Sequence, residues 1–207
     1  MIKETKSNWE CVTSIIKQET PVTLSELTTQ LFLDQPEELL SFLNQYKFAS
    51  KLLKKDQKVL DIGCREGLGS YILAKEGVEV HGVIEMNTEY KMALANFSHP
   101  NLTFSCQKVS QIPSSNWDAI ICLNHPDSLK TQTEIFLKDL YAKLDNSGLV
   151  ILSLPADLSL FEKVSKFLQD KFMFFWKFAI YNDTIIPDNK TLIPLLPSLI
   201  IGGKKRK

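Results

Sequence analysis

The sequence predicts an α/β protein: a doubly wound, mostly parallel sheet with a helical cover at the N-terminal end. Three observations point there. The stretch KVLDIGCREGLGSYILAKEGVEVHGVIEMN, residues 58–87, reads as strand, glycine turn, helix and strand in direct succession. Short apolar runs then alternate with helical patterns almost to the C-terminus, and that alternation builds βαβ units whose parallel sheet is covered on both faces. Before them, residues 1–55 contain no glycine and are helical in pattern.

The elements come in this order. Pro21 and Pro36 punctuate the N-terminal stretch. Asp34 with Pro36, Glu37 and Glu38 is a helix start, with a capping side chain, a proline in the first turn and acids at the positive end of the dipole. Leu39, Leu40, Leu43, Tyr46, Phe48 and Leu52 then recur at near-helical spacing, as in a cover packed on the sheet domain. From Gln57 the period changes. Strands are expected at residues 59–62, 78–84, 101–106, 117–123 and 149–154, and two final ones within 172–181 and 191–201. Helices are expected at 68–76, closed by Gly77, from Asn87 or Thr88 to Phe97, at 128–144, stopped by Asn146-Ser147-Gly148, and at 159–170. The division is therefore a helical extension over 1–55, a sheet domain over 56–203 and a disordered basic tail over 204–207. No internal repeat is visible.

A chain of 207 residues is one ordinary domain with an extension. Lys and Arg number 24, and so do Asp and Glu. That balance argues against a nucleic-acid binder working by bulk charge. Cys11, Cys64, Cys106 and Cys122 share no metal-ligand spacing and sit in or beside apolar runs, as reduced thiols of a cytoplasmic protein do. The opening residues do not read as a signal peptide, since Lys3, Glu4 and Lys6 precede any apolar run. The apolar run 192–201 carries Pro194 and Pro197 and falls far short of the roughly 20 residues a spanning helix needs. A soluble protein without a membrane partner is expected.

In an open α/β sheet, ligands bind beyond the C-terminal strand ends, where strand order reverses. The turn Asp61-Ile62-Gly63-Cys64-Arg65-Glu66-Gly67 belongs at such a point. Gly63 permits the bend, Gly67 permits close approach, and the helix after it offers free N–H groups to an anion. Glu85, at the end of the second strand, is placed to hold two ribose hydroxyls. The plainer alternative is that the glycines serve only the bend and Glu85 is a solvated loop acid.

The turn does not spell the Gly-x-Gly-x-x-Gly of nicotinamide and flavin enzymes. Asp-x-Gly-Cys-x-x-Gly instead resembles motif I of the class I S-adenosylmethionine-dependent methyltransferases, of the small-molecule and sugar type. The resemblance covers roughly residues 44–160. Asn44 to Ala49 looks like that family's run-in, Trp117 to Leu123 its fourth strand, and Leu144 to Pro155 its turn and fifth strand. It implies a Rossmann-like, seven-stranded sheet with an antiparallel last strand, and S-adenosylmethionine as cofactor. It also implies that Asp61, Gly63, Cys64 and Gly67 line the methionine end, Glu85 holds the ribose, and Val109 flanks the adenine. Leu123 and Asn124 would face the methyl-donor centre, and Tyr46 would reach the cofactor carboxylate.

Three departures from the pattern stand out. Arg65 replaces the middle glycine, where its side chain either crowds the cofactor, points outward or pairs with a carboxylate. Ile84 takes the place of the usual acid, with Glu85 one residue late, so Glu85 must lie in the turn, because one step along a strand changes the face. Gln107-Lys108 stands where a Gly-Asp pair is common, and lysine has no acceptor for an adenine amino group. These departures keep a second reading open: a non-catalytic, methyltransferase-like binding or scaffold protein with a degraded cofactor site.

Methyl transfer from an activated sulfonium needs mostly in-line positioning, so a catalytic signature is not required. His125, oriented by Asp127, is a weak general-base candidate, against the plainer reading of a loop histidine beside a turn-forming Pro-Asp. His81 lies within a strand and reads as structural, and His99, beside Pro100, as a surface turn residue. The aromatic run 172–178 reads first as a buried strand and second as the wall of an acceptor pocket. The tail from Lys204 reads as solvated charge. The acceptor implied is a small molecule.

Overall fold

The computed structural model describes residues 22–114, 117–124, 126–187 and 196–204. The expectations at residues 1–21, among them Cys11, at His125, at residues 191–195 and at residues 205–207 lie outside the described residues.

Two helices lead in, α1 (Glu26–Asp34) and α2 (Pro36–Leu52). Ser25 caps α1, its hydroxyl oxygen accepting from the Thr28 N–H at 3.2 Å. Asp34, expected as the cap of the next helix, is instead the last residue of α1, and Gln35 forms the joint without a side-chain cap. The α2 start keeps Pro36 in its first turn with Glu37 and Glu38, which complement the positive helix end.

Next come β1 (Lys58–Ile62), α3 (Leu68–Lys75), β2 (Glu79–Ile84), α4 (Asn87–Asn96), β3 (Leu102–Cys106), a single 3-10 turn at Val109–Gln111, and β4 (Trp117–Cys122). The chain continues through α5 (Asp127–Thr131), α6 (Thr133–Lys143), β5 (Leu144–Leu154), α7 (Leu158–Lys171), β6 (Phe174–Tyr181), β7 (Thr184–Pro187) and β8 (Ser198–Gly203). The sheet order is β3-β2-β1-β4-β5-β8-β6-β7. The strands from β3 to β5 in that order are parallel, and β8 runs antiparallel between β5 and β6. The order reverses at β1 and β4, so the crevice beyond their C-terminal ends is the topological switch point.

Alternate residues of each central strand bury on opposite faces, as a sheet covered on both sides requires. Leu60, Ile62, Ile120 and Leu152 join one core with α6 and α7. Val59, Ala119, Ile121 and Ile151 join the other with Tyr46, Ala49 and Leu73, so α2 belongs to the core rather than lying loosely on it.

Four differences from the sequence reading have local causes. The sheet has eight strands instead of seven, because Asn182-Asp183 turns the chain between Tyr181 and Thr184, with Asn182 at φ 52°. Asparagine tolerates that left-handed conformation, which a two-residue hairpin turn demands. The single helix expected over 128–144 is two, α5 and α6, broken at Gln132 (φ −133°, ψ 43°) between two β-branched threonines of lower helix propensity. β5 starts at Leu144 and not at Leu149: Trp117 pairs with Leu144 and Ala119 with Leu149, so the expected stop Asn146-Ser147-Gly148 is carried as a bulge within the strand. Gly202 and Gly203 end β8, and Lys204 is ordered, its ammonium donating to the carbonyls of Tyr141 at 2.9 Å and Leu144 at 2.7 Å.

Among the described residues, no helix is long and apolar enough to cross a membrane, and no group of three or more His, Cys, Asp or Glu could hold a metal ion.

Candidate active site

Three residues of the turn after β1 are left-handed: Gly63 (φ 70°), Arg65 (φ 51°) and Gly67 (φ 88°). Glycine adopts that region freely, whereas a side chain there costs about 1–2 kcal/mol. The departure at Arg65 therefore sits where the backbone itself favours glycine. At Gly67 space adds a second demand, since a Cβ would lie 2.5 Å from the Phe104 ring. The N–H groups of Gly63 and Cys64 donate to the Val83 carbonyl at 3.0 and 3.3 Å, which hangs the turn on β2.

Behind the turn lies a closed polar network. Asp61 is fully buried; one oxygen accepts from the Ser70 hydroxyl at 2.6 Å and the other from the Tyr46 hydroxyl at 3.2 Å. Asn124, after β4, donates to the Gly63 carbonyl at 2.7 Å and to the Tyr46 oxygen at 3.4 Å. Burial pushes the Asp61 carboxyl up to about 7, against the two hydroxyl donors that pull it down. Burial, then the neighbouring Asp61, raises the Tyr46 phenol well above its ordinary value, and the same two causes raise the Cys122 thiol. The Tyr46 ring sits where a Cβ on Gly69 would be, 2.2 Å from two of its carbons. Asp61 and Tyr46, expected to reach a cofactor, thus spend their polar atoms on each other, on Ser70 and on Asn124.

Two cavities lie at the C-terminal strand ends. The first, about 480 Å³, is lined by Glu85, Lys108, Val109, Ser110 and Ser128 with neighbours from α5 and α6. Glu85 directly succeeds β2 and is exposed, while Ile84 is buried as the strand's last residue, so the acid does lie in the turn. The Ser128 hydroxyl is buried and has no hydrogen-bond partner among the described residues. The second cavity, about 540 Å³, is lined by Phe42 and Gln45 of α2, Arg65, Leu123, Asn124 and Tyr181 among others. The structure therefore brings Glu85 together with Val109, and Arg65 together with Leu123 and Asn124. Cys64 lines neither cavity; its thiol is buried, 3.7 Å from the Val83 carbonyl, and burial raises its pKa well above the ordinary value.

The sequence reading missed Ser70, Gln45, Ser128 and Phe104. Ser70 had a weak signal, as a hydroxyl nine residues beyond an acid that had to be buried in a strand. Phe104 had none, because only the sheet order places β3 beside β2. The other histidines are structural: His81 Nδ1 and Nε2 each lie 2.9 Å from the hydroxyls of Thr103 and Ser105, and His99 Nδ1 accepts from the Asn101 N–H at 3.2 Å. In the aromatic run, Phe178 packs edge-on against Phe48 of α2, while Trp176 is largely exposed.

No family profile matches the chain, and no curated protein matches it. Solved structures do. A TehB-like S-adenosylmethionine-dependent methyltransferase from Corynebacterium glutamicum superposes with a TM-score of 0.62 at 18% identity, over 79% of this chain and 88% of that one. Magnesium protoporphyrin IX methyltransferase from Synechocystis, with S-adenosylhomocysteine bound, gives 0.62 at 16% identity over 90% of each chain. The tRNA (m1A58) methyltransferase TrmI from Aquifex aeolicus gives 0.60 at 14% identity, over 79% of this chain and 69% of that one. The last two are named for unlike acceptors, so what the comparisons share is architecture: this chain has the Rossmann-like fold of S-adenosylmethionine-dependent methyltransferases.

Proposed function

We propose that the protein is an S-adenosylmethionine-dependent methyltransferase acting on a small-molecule acceptor. The observation that carries this reading is the pair of cavities at the C-terminal ends of the central strands. One holds the carboxylate and the apolar residue suited to a nucleoside, and the other opens over the end of β4 with a volume suited to a small ligand. Glu85 would hold the ribose hydroxyls, and Val109 would lie against the base. Lysine cannot accept from an adenine amino group, but the Ser110 hydroxyl lines the same cavity and can. When bound, the cofactor supplies an activated methyl group. The chain's own residues hold the two molecules in line and exclude water, with Asn124 fixing the Gly63 carbonyl and so the shape of the turn.

A second reading, a non-catalytic binding protein, draws on Arg65 in a glycine position and on Lys108 in place of an acid. Calorimetric titration with S-adenosylhomocysteine separates the two. Binding in the micromolar range is expected, with Glu85→Ala weakening it by about 2 kcal/mol, as for lost hydrogen bonds to a charged group. A wild-type protein, purified free of nucleoside, that shows no heat at millimolar ligand would leave only the second reading.

A further inference from the structure

The two edges of the sheet are unlike. β7 is guarded: it is 4 residues long and ends in Pro187, which has no N–H to offer a further strand. β3, at the other edge, reads Leu102-Thr103-Phe104-Ser105-Cys106. It carries no charge and no proline, and it pairs with β2 in unbroken register. Beside it the sheet face is open. Among the described residues the connection from β3 to β4 carries a 3-10 turn and no α-helix, and Thr103 is exposed and Ser105 half-buried.

The ladder with β2 decides which backbone groups face outward. The Val80 N–H donates to the Asn101 carbonyl at 2.7 Å, and the Gln107 N–H to the Ile84 carbonyl at 3.1 Å. The bonds of a parallel pair recur at alternate residues, so Thr103 and Ser105 also turn their backbone groups to β2. Those of Leu102, Phe104 and Cys106 point to the open edge. There the Leu102 N–H is taken up by the His99 carbonyl at 3.0 Å.

This edge is complementary to itself. Set antiparallel about a two-fold axis at Phe104, each Phe104 N–H meets the Phe104 carbonyl of the other copy. Each Cys106 N–H meets the Leu102 carbonyl of the other copy. Thr103 stands opposite Ser105 of the other copy in a non-hydrogen-bonded pair, hydroxyl beside hydroxyl, a combination that stabilises paired strands. No charged side chain lies between Lys91 and Lys108, so two identical edges meet without the repulsion that like charges opposite one another bring. A foreign strand would find no charge there to select it.

We propose that the open edge of β3 pairs with β3 of a second copy of this chain, antiparallel and centred on Phe104, so that two sheets become one. The strand is 5 residues long, and so short a contact falls below the roughly 1,200 Å² of stable interfaces. The dimer is therefore weak and forms with rising concentration.

Sedimentation velocity of the full chain is expected to show a monomer at about 1 μM and a dimer at about 500 μM. Cys106→Pro removes an outward N–H and leaves the β2 ladder whole. Thr103→Lys sets two cations close together across the axis. Each should raise the dissociation constant at least tenfold, with thermal melts confirming that the variants fold. Cross-linking reads the register. In a Cys106→Ser background, Thr103→Cys combined with Ser105→Cys should give an oxidised dimer on a non-reducing gel, because the facing Cα atoms lie about 4.5 Å apart, within disulfide reach. Either cysteine substitution alone puts the new thiols on a diagonal of about 7–8 Å and should give none. A wild-type chain that stays monomeric at 500 μM overturns the proposal. Slow deuterium exchange at Phe104 in such a monomer would assign the edge to another part of the same chain. A dimer that survives both edge variants, or that single cysteines cross-link as well as the pair does, overturns it too, because the contact then lies elsewhere.

Discussion

Wild-type protein is expected to lose stability relative to Asp61→Asn as pH rises from about 4 to about 7. The carboxyl of an unfolded chain titrates near 3.9, whereas burial holds the folded one up to about 7. Between those values the folded state binds the proton that the unfolded state has released, so the unfolding free energy falls with pH across the window and levels off above it. About three powers of ten in proton affinity correspond to a fall of roughly 4 kcal/mol. The asparagine keeps the shape and does not titrate, so subtracting its urea-unfolding curve from that of wild type at each pH isolates this one group. A difference that is flat from pH 4 to pH 7.5 would show that Asp61 is ionised throughout and that its hydroxyl partners fully offset the burial.

Gly69→Ala should destabilise the protein by about 3 kcal/mol. On an ordinary helix this change stabilises by nearly 1 kcal/mol. Here the new methyl group would sit 2.2 Å from the ring of Tyr46, which is fully buried and has nowhere to swing. Displacing the ring adds overpacking strain of about 1–3 kcal/mol. It also stretches the hydrogen bond from Tyr46 to the buried Asp61, worth about 1.5–3 kcal/mol when the partner is charged. Denaturant midpoints decide the matter, and an unchanged or raised midpoint would mean that the ring does not bear on the helix in solution.

The helices and strands around the glycine turn could be read from the sequence because their signals are local. Gly63, Gly67 and Gly77 mark bends, and the apolar runs of β1, β2 and β4 have the length and composition of strands buried on both faces. The errors fell where non-local pairing decides. β5 reaches back to Leu144 only because Trp117 of another strand is there to pair with it. The eighth strand depends on a two-residue turn at Asn182-Asp183, a signal that is present in the sequence but weak beside the aromatic run before it. The same holds for the site. That Glu85 and Val109 belong near one another was legible, Glu85 from its place after a strand end and Val109 through the family resemblance. That Asp61 turns inward was not, because its partners Tyr46 and Ser70 are a helix in front of it and a helix behind.

The Tyr46–Asp61–Asn124 network gives the two walls of the larger cavity unequal freedom. The α2 wall is riveted to the strand ends through the buried Tyr46 ring and its two hydrogen bonds, to Asp61 and from Asn124. The facing β6–β7 hairpin meets α2 through Phe178, edge-on against Phe48, and through one exposed bond, from the Asn44 amide to the Asp183 carbonyl at 2.9 Å. A ligand therefore meets a helix whose position is already fixed, which lowers the ordering cost on that side. Opening the cavity on the hairpin side breaks the Phe48–Phe178 ring contact along with that solvated hydrogen bond, at about 0.5–1.5 kcal/mol each.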